Sequence, residues 1–204
     1  MRRIIVLMSL AAVSSFAAYG TTVCASGSTT TFGNGVTFDL TPVGTCSIGS
    51  VTFSNFFVTG ENSLVPTTFA PSATLLNDGR TLSLTYTSLP TGADIQFGFE
   101  STGGTVFGLL LGGGSSANVT ETVCTIAFVG ESCLGGVLGG PTGVSGGGSA
   151  LINLSANISG VYFYSKDITG GSGVTQTFVP EPMTSSLMGA GLLGLGFLRR
   201  YRKP

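Results

Sequence analysis

Leu82-Ser83-Leu84-Thr85-Tyr86-Thr87 and Ile95-Gln96-Phe97-Gly98-Phe99-Glu100 decide the fold class. In both, apolar and small or polar residues alternate with a period of two. An extended strand then carries Leu82, Leu84 and Tyr86, or Ile95, Phe97 and Phe99, on one face. A helical face would also need apolar residues three apart, and neither stretch has any. Val36-Thr37-Phe38-Asp39-Leu40 alternates in the same way, as do Cys124, Ile126 and Phe128 around Thr125 and Ala127. Further apolar runs lie at Val51–Val58, Val161–Tyr164 and Val174–Val179. Valine, threonine and phenylalanine dominate them, as suits a pleated, half-buried surface.

Turn signals separate these stretches. Asn77-Asp78-Gly79 stands between Ala73–Leu76 and Thr81–Tyr86. Asp-Gly supplies the positive φ angles of a type I′ turn, so a hairpin is predicted there. Asn34-Gly35, between Thr29–Phe32 and Val36–Leu40, predicts a second hairpin, and Leu89-Pro90-Thr91-Gly92 a further turn. No segment of the middle shows helical periodicity with caps. The expected fold is all-β: a β-sandwich of about eight to ten short antiparallel strands over residues 21–178. The 14 phenylalanines are expected to supply much of its core. Gly135 to Ser149 holds eight glycines in fifteen residues and reads as a long surface loop or flexible linker.

Composition removes several function classes. The chain of 204 residues contains no histidine. Ser-His-Asp and Cys-His catalytic arrangements and His-ligated metal sites are therefore excluded. Charged residues make up 8% of the chain, against roughly 25% in an average soluble domain. Lys and Arg are not clustered in the middle, so a phosphate-binding, nucleic-acid-facing surface is not expected. Six of the eight basic residues lie within the first three or last six positions. Between Thr21 and Phe178 only Arg80 and Lys166 are basic, against eight acidic residues. Basic ends around an acidic middle fit a chain whose ends face the cytoplasm while the middle is exported.

The N-terminus has the layout of a secretory signal peptide over residues 1–20. Arg2-Arg3 is the positive region, Ile4 to Val13 the apolar region, and Ser14 to Gly20 the small-residue region. Ser15-Phe16-Ala17 and Ala18-Tyr19-Gly20 both fit a cleavage site. Export leads into an oxidising compartment, where an even cysteine count implies disulfides. Cys24, Cys46, Cys124 and Cys133 allow three pairings; Cys24–Cys46 with Cys124–Cys133 closes the shortest loops and is the expected one. Their spacings of 22, 78 and 9 lack the close Cys pairs of a zinc site. No metal or other cofactor is expected.

The C-terminus, residues 179–204, has three parts in order. Val179-Pro180-Glu181-Pro182 comes first, and its two prolines hold the chain extended. Residues 183–198 follow, sixteen uncharged residues that span ~24 Å as a helix, short of a ~30 Å hydrocarbon core. Arg199, Arg200, Arg202 and Lys203 then form a basic stop. This tail resembles the PEP-CTERM sorting signal of exopolysaccharide-producing bacteria. The resemblance covers residues 179–203 and implies an inner-membrane intermediate held by a short hydrophobic helix. It further implies recognition by an exosortase, cleavage near Pro180–Pro182, and delivery to the cell surface or extracellular matrix. Signal peptidase and the Sec translocon would act before it. One departure is Met183, where the family often has Ala or Ser.

Catalytic candidates in the middle are few. Asp94 and Glu100 lie on one strand face six residues apart, or about 20 Å. A glycosidase pair needs ~5–9 Å. Asp78 belongs to its turn, and Asp167 stands alone in the sequence. No dense calcium loop is present. The chain is therefore read as a non-enzymatic surface or matrix component with an exopolysaccharide- or biofilm-associated structural role. The alternative is a non-catalytic carbohydrate-binding or adhesion module. Tyr162 and Tyr164, if exposed, would offer rings for sugar stacking, but tyrosine on a strand is more often plain packing.

Overall fold

Alternating sequence becomes antiparallel sheet throughout the computed structural model, which describes residues 21–103, 108–129, 132–133, 136–154 and 161–179. The signal peptide, Pro180–Pro182, the apolar run and the basic stop lie outside the described residues. The described residues form twelve strands and no helix. These are β1 (Thr22–Ser26), β2 (Thr37–Asp39), β3 (Thr41–Pro42), β4 (Cys46–Ile48), β5 (Val51–Gly60) and β6 (Ser72–Leu75). They continue as β7 (Thr81–Thr102), β8 (Gly108–Gly113), β9 (Asn118–Cys124), β10 (Val137–Ser145), β11 (Ser149–Asn153) and β12 (Val161–Val179).

Two long strands organise the sheet. β7 and β12 pair antiparallel from Thr81↔Thr177 to Thr102↔Val161. Each changes its outer neighbour half-way. The first half of β7 pairs β6 and the second pairs β5. The first half of β12 pairs β9 and the second pairs β8. One half of the sheet thus runs β11-β8-β12-β7-β6-β1-β3, and the other runs β10-β9-β12-β7-β5, with β2 and β4 on β5. All twelve strands form one hydrogen-bonded sheet rather than two separate ones, and two of them are long.

The bend between the halves sits where a turn was expected. Leu89-Pro90-Thr91-Gly92 does not reverse the chain but lies inside β7. Thr85 pairs with Gly173 and Asp94 with Thr169, so β7 carries several extra residues against the glycines of β12. Gly92, Gly170 and Gly171 take positive φ there. The parity of the buried side chains flips across the bend, from Leu82, Leu84 and Tyr86 to Ile95, Phe97 and Phe99.

Aromatic rings fill the space between the two halves. Phe178 on β12 meets Phe53 on β5 at 4.7 Å between ring centroids. Tyr164 stacks on Phe99 at 4.5 Å, and its hydroxyl shares a hydrogen bond with Ser101 at 2.9 Å. Phe32 stacks on Phe69 at 4.9 Å. Tyr162 and Tyr164 are therefore core residues, not exposed rings: both project from β12 onto its inner face.

Local readings are corrected in four further places. The Asp78 turn closes by Gly79 N–H to Leu76 C=O, and only Gly79 has positive φ, so it is not type I′. Asp78 instead accepts from the Arg80 and Thr81 amides and the Thr81 hydroxyl, which fixes the loop without a left-handed aspartate. Gly33–Val36 turns the chain, but its flanks do not pair with each other: Thr29 pairs Phe69, and β2 pairs β5. The strand expected from Cys124 to Phe128 ends at Cys124, and Ile126 is exposed. The ladder lies on the preceding residues instead. The glycine-rich stretch expected as a loop holds β10, paired with β9. Glycine is required at position 140, where φ is +86°, and suits position 139. A Cβ on Gly139 would press on Ile152 and Leu154, and one on Gly140 would run into the Glu121 carbonyl.

Cys24 pairs with Cys46 and Cys124 with Cys133. The first bridge joins β1 to β4, strands at the margins of the two halves.

Candidate functional site

A bulge in β5 opens a cleft on the sheet. Ser54 pairs Glu100 and Phe57 pairs Gly98, so β5 spends one more residue than β7 over that interval. Asn55 takes the strain, with a φ of 52° in the left-handed region. The bulge turns Phe56 into the core, where it stacks on Phe99 at 5.5 Å. It leaves Asn55 outward, donating from Nδ2 to Glu100 Oε2 at 2.8 Å. Phe57 lies across Gly98, filling the place of the missing side chain.

The resulting cleft has a volume of about 390 Å³. Half-buried Phe57, Phe128 and Phe163 line it beside the polar groups of Asp39, Asn55 and Glu100. Flat rings offer faces to sugar C–H groups, and the amide and carboxylates offer partners to hydroxyls. One faint sign of this site lies in the sequence. In Val51–Val58 the buried parity shifts from Val51 and Phe53 to Phe56 and Val58, which a one-residue bulge requires.

Asp94 and Glu100 belong to different surroundings. Glu100 lines the cleft, whereas Asp94 lies with Glu61 and Asp167, each carboxylate within 4.8 Å of the others. Asp167 is thus not isolated. β12 brings it beside Asp94, and Glu61 N–H bonds to the Asp94 carbonyl. Thr169 Oγ1 also donates to Asp94 at 3.2 Å. A calcium ion takes six to eight oxygens, which three carboxylates reach only by binding bidentately or together with water.

A second polar group lies in the core, and sequence reasoning missed it. Glu121 on β9 stands directly opposite Lys166 on β12. Gln176 projects inward from the other half of β12. Lys166 Nζ donates to Glu121 Oε1, and to Gln176 Oε1 at 2.6 Å. It also sits 5.4 Å from the Phe99 ring centroid. All three side chains are at 0% exposure. Burial pushes the Glu121 carboxyl up, against the opposing attraction of Lys166. Burial pushes the Lys166 amine down, against the attraction of Glu121. Gln176 favours the Glu121 carboxylate, yet Glu121 Oε2 and Gln176 Nε2 are outside hydrogen-bond geometry. The signal was present but unread: Lys166 and Glu121 fall at inward parity in otherwise apolar or Thr-rich strands.

The four cysteines occupy the two bridges described above. Of the sorting tag, Val179 is the last residue of β12 and pairs Gly108. Arg199, Arg200, Arg202 and Lys203 lie outside the described residues. Comparison with protein-family models, curated proteins and solved structures finds no match to this chain.

Proposed function

We propose that this chain is an exported, exosortase-sorted cell-surface or extracellular-matrix protein with a structural, exopolysaccharide-associated role. Its folded part is a β-sandwich, made by bending one sheet at the middle of β7 and β12. The observation that carries the reading is the ordered tail: Val179-Pro180-Glu181-Pro182, an apolar run, then Arg199 to Lys203. The leader at the other end fits the same route, through the Sec translocon and signal peptidase. Two disulfides in a weakly charged β domain suit an oxidising destination. β12 runs up to Val179, so the tag begins at the end of the last described strand. In this reading the chain performs no catalysis and needs no cofactor, and its partners are the sorting enzymes and polysaccharide.

The cleft favours a second reading, a non-catalytic carbohydrate-binding module. Phe57, Phe128 and Phe163 beside Asn55 and Glu100 form a surface suited to sugar rings.

One experiment addresses both. Intact mass is measured in membrane, surface and medium fractions of an exosortase-bearing host. A form beginning near Ala18 or Thr21 and ending near Pro180–Pro182 is expected at the surface or in the medium. A form that keeps residues 187–204 and stays in the membrane would sink the sorting assignment. Saturable retention of the released form on isolated exopolysaccharide, lost in Phe163→Ala, would favour the binding module over a purely structural part.

A further inference from the structure

A lysine, a glutamic acid and a glutamine have no ordinary reason to meet inside an aromatic core. Replacing such a group with well-packed apolar residues is often neutral or stabilising, so burial alone does not account for it. The arrangement has a chemical content. Lys166 Nζ touches the amide oxygen of Gln176 at 2.6 Å, one bond from the carbonyl carbon of that amide. The same nitrogen touches Glu121 Oε1. The second oxygen of Glu121 and the amide nitrogen of Gln176 are left without hydrogen bonds. A nucleophile, an acyl group with a leaving amine, and a proton carrier are therefore held together, shielded from water, by three strand positions.

We propose that Lys166 and Gln176 become joined by an intramolecular amide bond that the folded domain forms itself, with Glu121 carrying the protons. The free amine of Lys166 attacks Gln176 Cδ, forming the Nζ–Cδ bond. Glu121, as the acid, protonates the amide oxygen, and as the carboxylate it takes a proton from Nζ. When the tetrahedral intermediate collapses, the Cδ–Nε2 bond breaks. The proton passes to Nε2, which leaves as ammonia, and Glu121 ends as it began. No oxidant, cofactor or second enzyme enters the balance. Desolvation assists, because it favours the neutral amine and the protonated carboxyl. Fixed positions in the ladder replace a bimolecular encounter with an intramolecular one. The bond would tie the two halves of β12 together across the core. This proposal stands apart from the sorting route and from the cleft.

The test uses the full chain, expressed with its leader, recovered after export, and fully reduced. Intact mass should be short by one ammonia relative to the encoded or processed sequence. Trypsin should fail to cut after Lys166 in the denatured protein while still cutting after Arg80. Tandem fragmentation should place the link between Lys166 and Gln176. Unchanged mass with normal cleavage after Lys166 would overturn the proposal. So would the loss of one water with a link to Glu121, which would put the bond on the wrong partner. Gln176→Glu should change the loss from ammonia to water at the same site. Glu121→Ala should abolish the link, and a link persisting in that variant would overturn the role given to Glu121. The wild-type mass decides the bond itself even where that variant fails to fold. Because the link is read at Lys166, failure of tail processing leaves this measurement intact.

Discussion

Asp78 shows how a single side chain sets a local conformation. Partial burial acts to raise its pKa. The Thr81 hydroxyl and the Arg80 and Thr81 amides outweigh it, so the carboxyl stays below its ordinary 3.8. Asp78→Ala should cost about 1 kcal/mol at neutral pH, the usual net value of such hydrogen bonds at a largely exposed site. The depressed pKa fixes the sign of the pH dependence. The contribution is complete above 3.8 and is lost as pH falls through the lower folded-state value. Thermal unfolding of the two proteins should therefore differ by a constant gap from pH 7 to pH 5, and the gap should close in stronger acid. A gap that widens on acidification would mean that Asp78 is not held as the carboxylate. At such positions the sequence is readable, because Asp-Gly acts on its immediate neighbours. The inward parity of Lys166 and Glu121 could be read, but not their meeting with Gln176, because only long-range pairing brings the three together. The parity shift in Val51–Val58 hinted at the bulge at Asn55, but the place of Phe163 beside it depends on cross-strand pairing.

Strands were legible wherever one face is apolar and the other polar. β5, the two halves of β7 and the ends of β12 announced themselves through valine and phenylalanine. β9 did not, because Asn118-Val119-Thr120-Glu121-Thr122-Val123-Cys124 puts a glutamate at an inward position. β10 read as a linker, because glycine composition says nothing about why the glycines are there. In β10 they allow the backbone to approach β9 and the side chains of Ile152 and Leu154. Two substitutions separate a strand from a linker. Gly140 has a φ of +86°, and a Cβ there would collide with the Glu121 carbonyl. Gly140→Ala should destabilise by about 2 kcal/mol, from strain and backbone displacement together. At Gly143 φ is not positive, and a Cβ would find Thr120 Oγ1 at an accommodating 3.4 Å. Gly143→Ala should be neutral or stabilise by up to about 1 kcal/mol, by restricting the unfolded chain. Denaturant titration of both variants measures this. Equal, negligible effects would mean that the segment is the linker its composition suggests.

Among the contacts that hold the two halves of the sheet together are the continuous β7–β12 pair, the aromatic core and the Cys24–Cys46 bridge. The sequence could indicate antiparallel sheet in general terms. It could not indicate that one sheet bends, because the bend depends on matching extra residues in β7 to glycines far along in β12. The two disulfides then have different places in the molecule, and their chemistry should differ. Cys24 and Cys46 are each 2% exposed, and the bridge links β1 to β4 across the halves. A reducing thiolate reaches it only when the margins of the sheet separate. Cys124 is buried, but its partner Cys133 is half-buried and lies beyond the end of β9. Thiol exchange requires access to one sulfur, so Cys124–Cys133 should open first under native conditions. Brief treatment with a mild thiol, followed by alkylation and peptide mapping, should label Cys124 and Cys133 well before Cys24 and Cys46. Removing the inner bridge by Cys24→Ser with Cys46→Ser should cost about 3 kcal/mol, as expected for a loop of that length. Labelling of Cys24 and Cys46 at the same rate as the outer pair would mean that the margins part without global unfolding. The inner bridge would then not be the clamp between the two halves, and their cohesion would rest on the core and the shared strands.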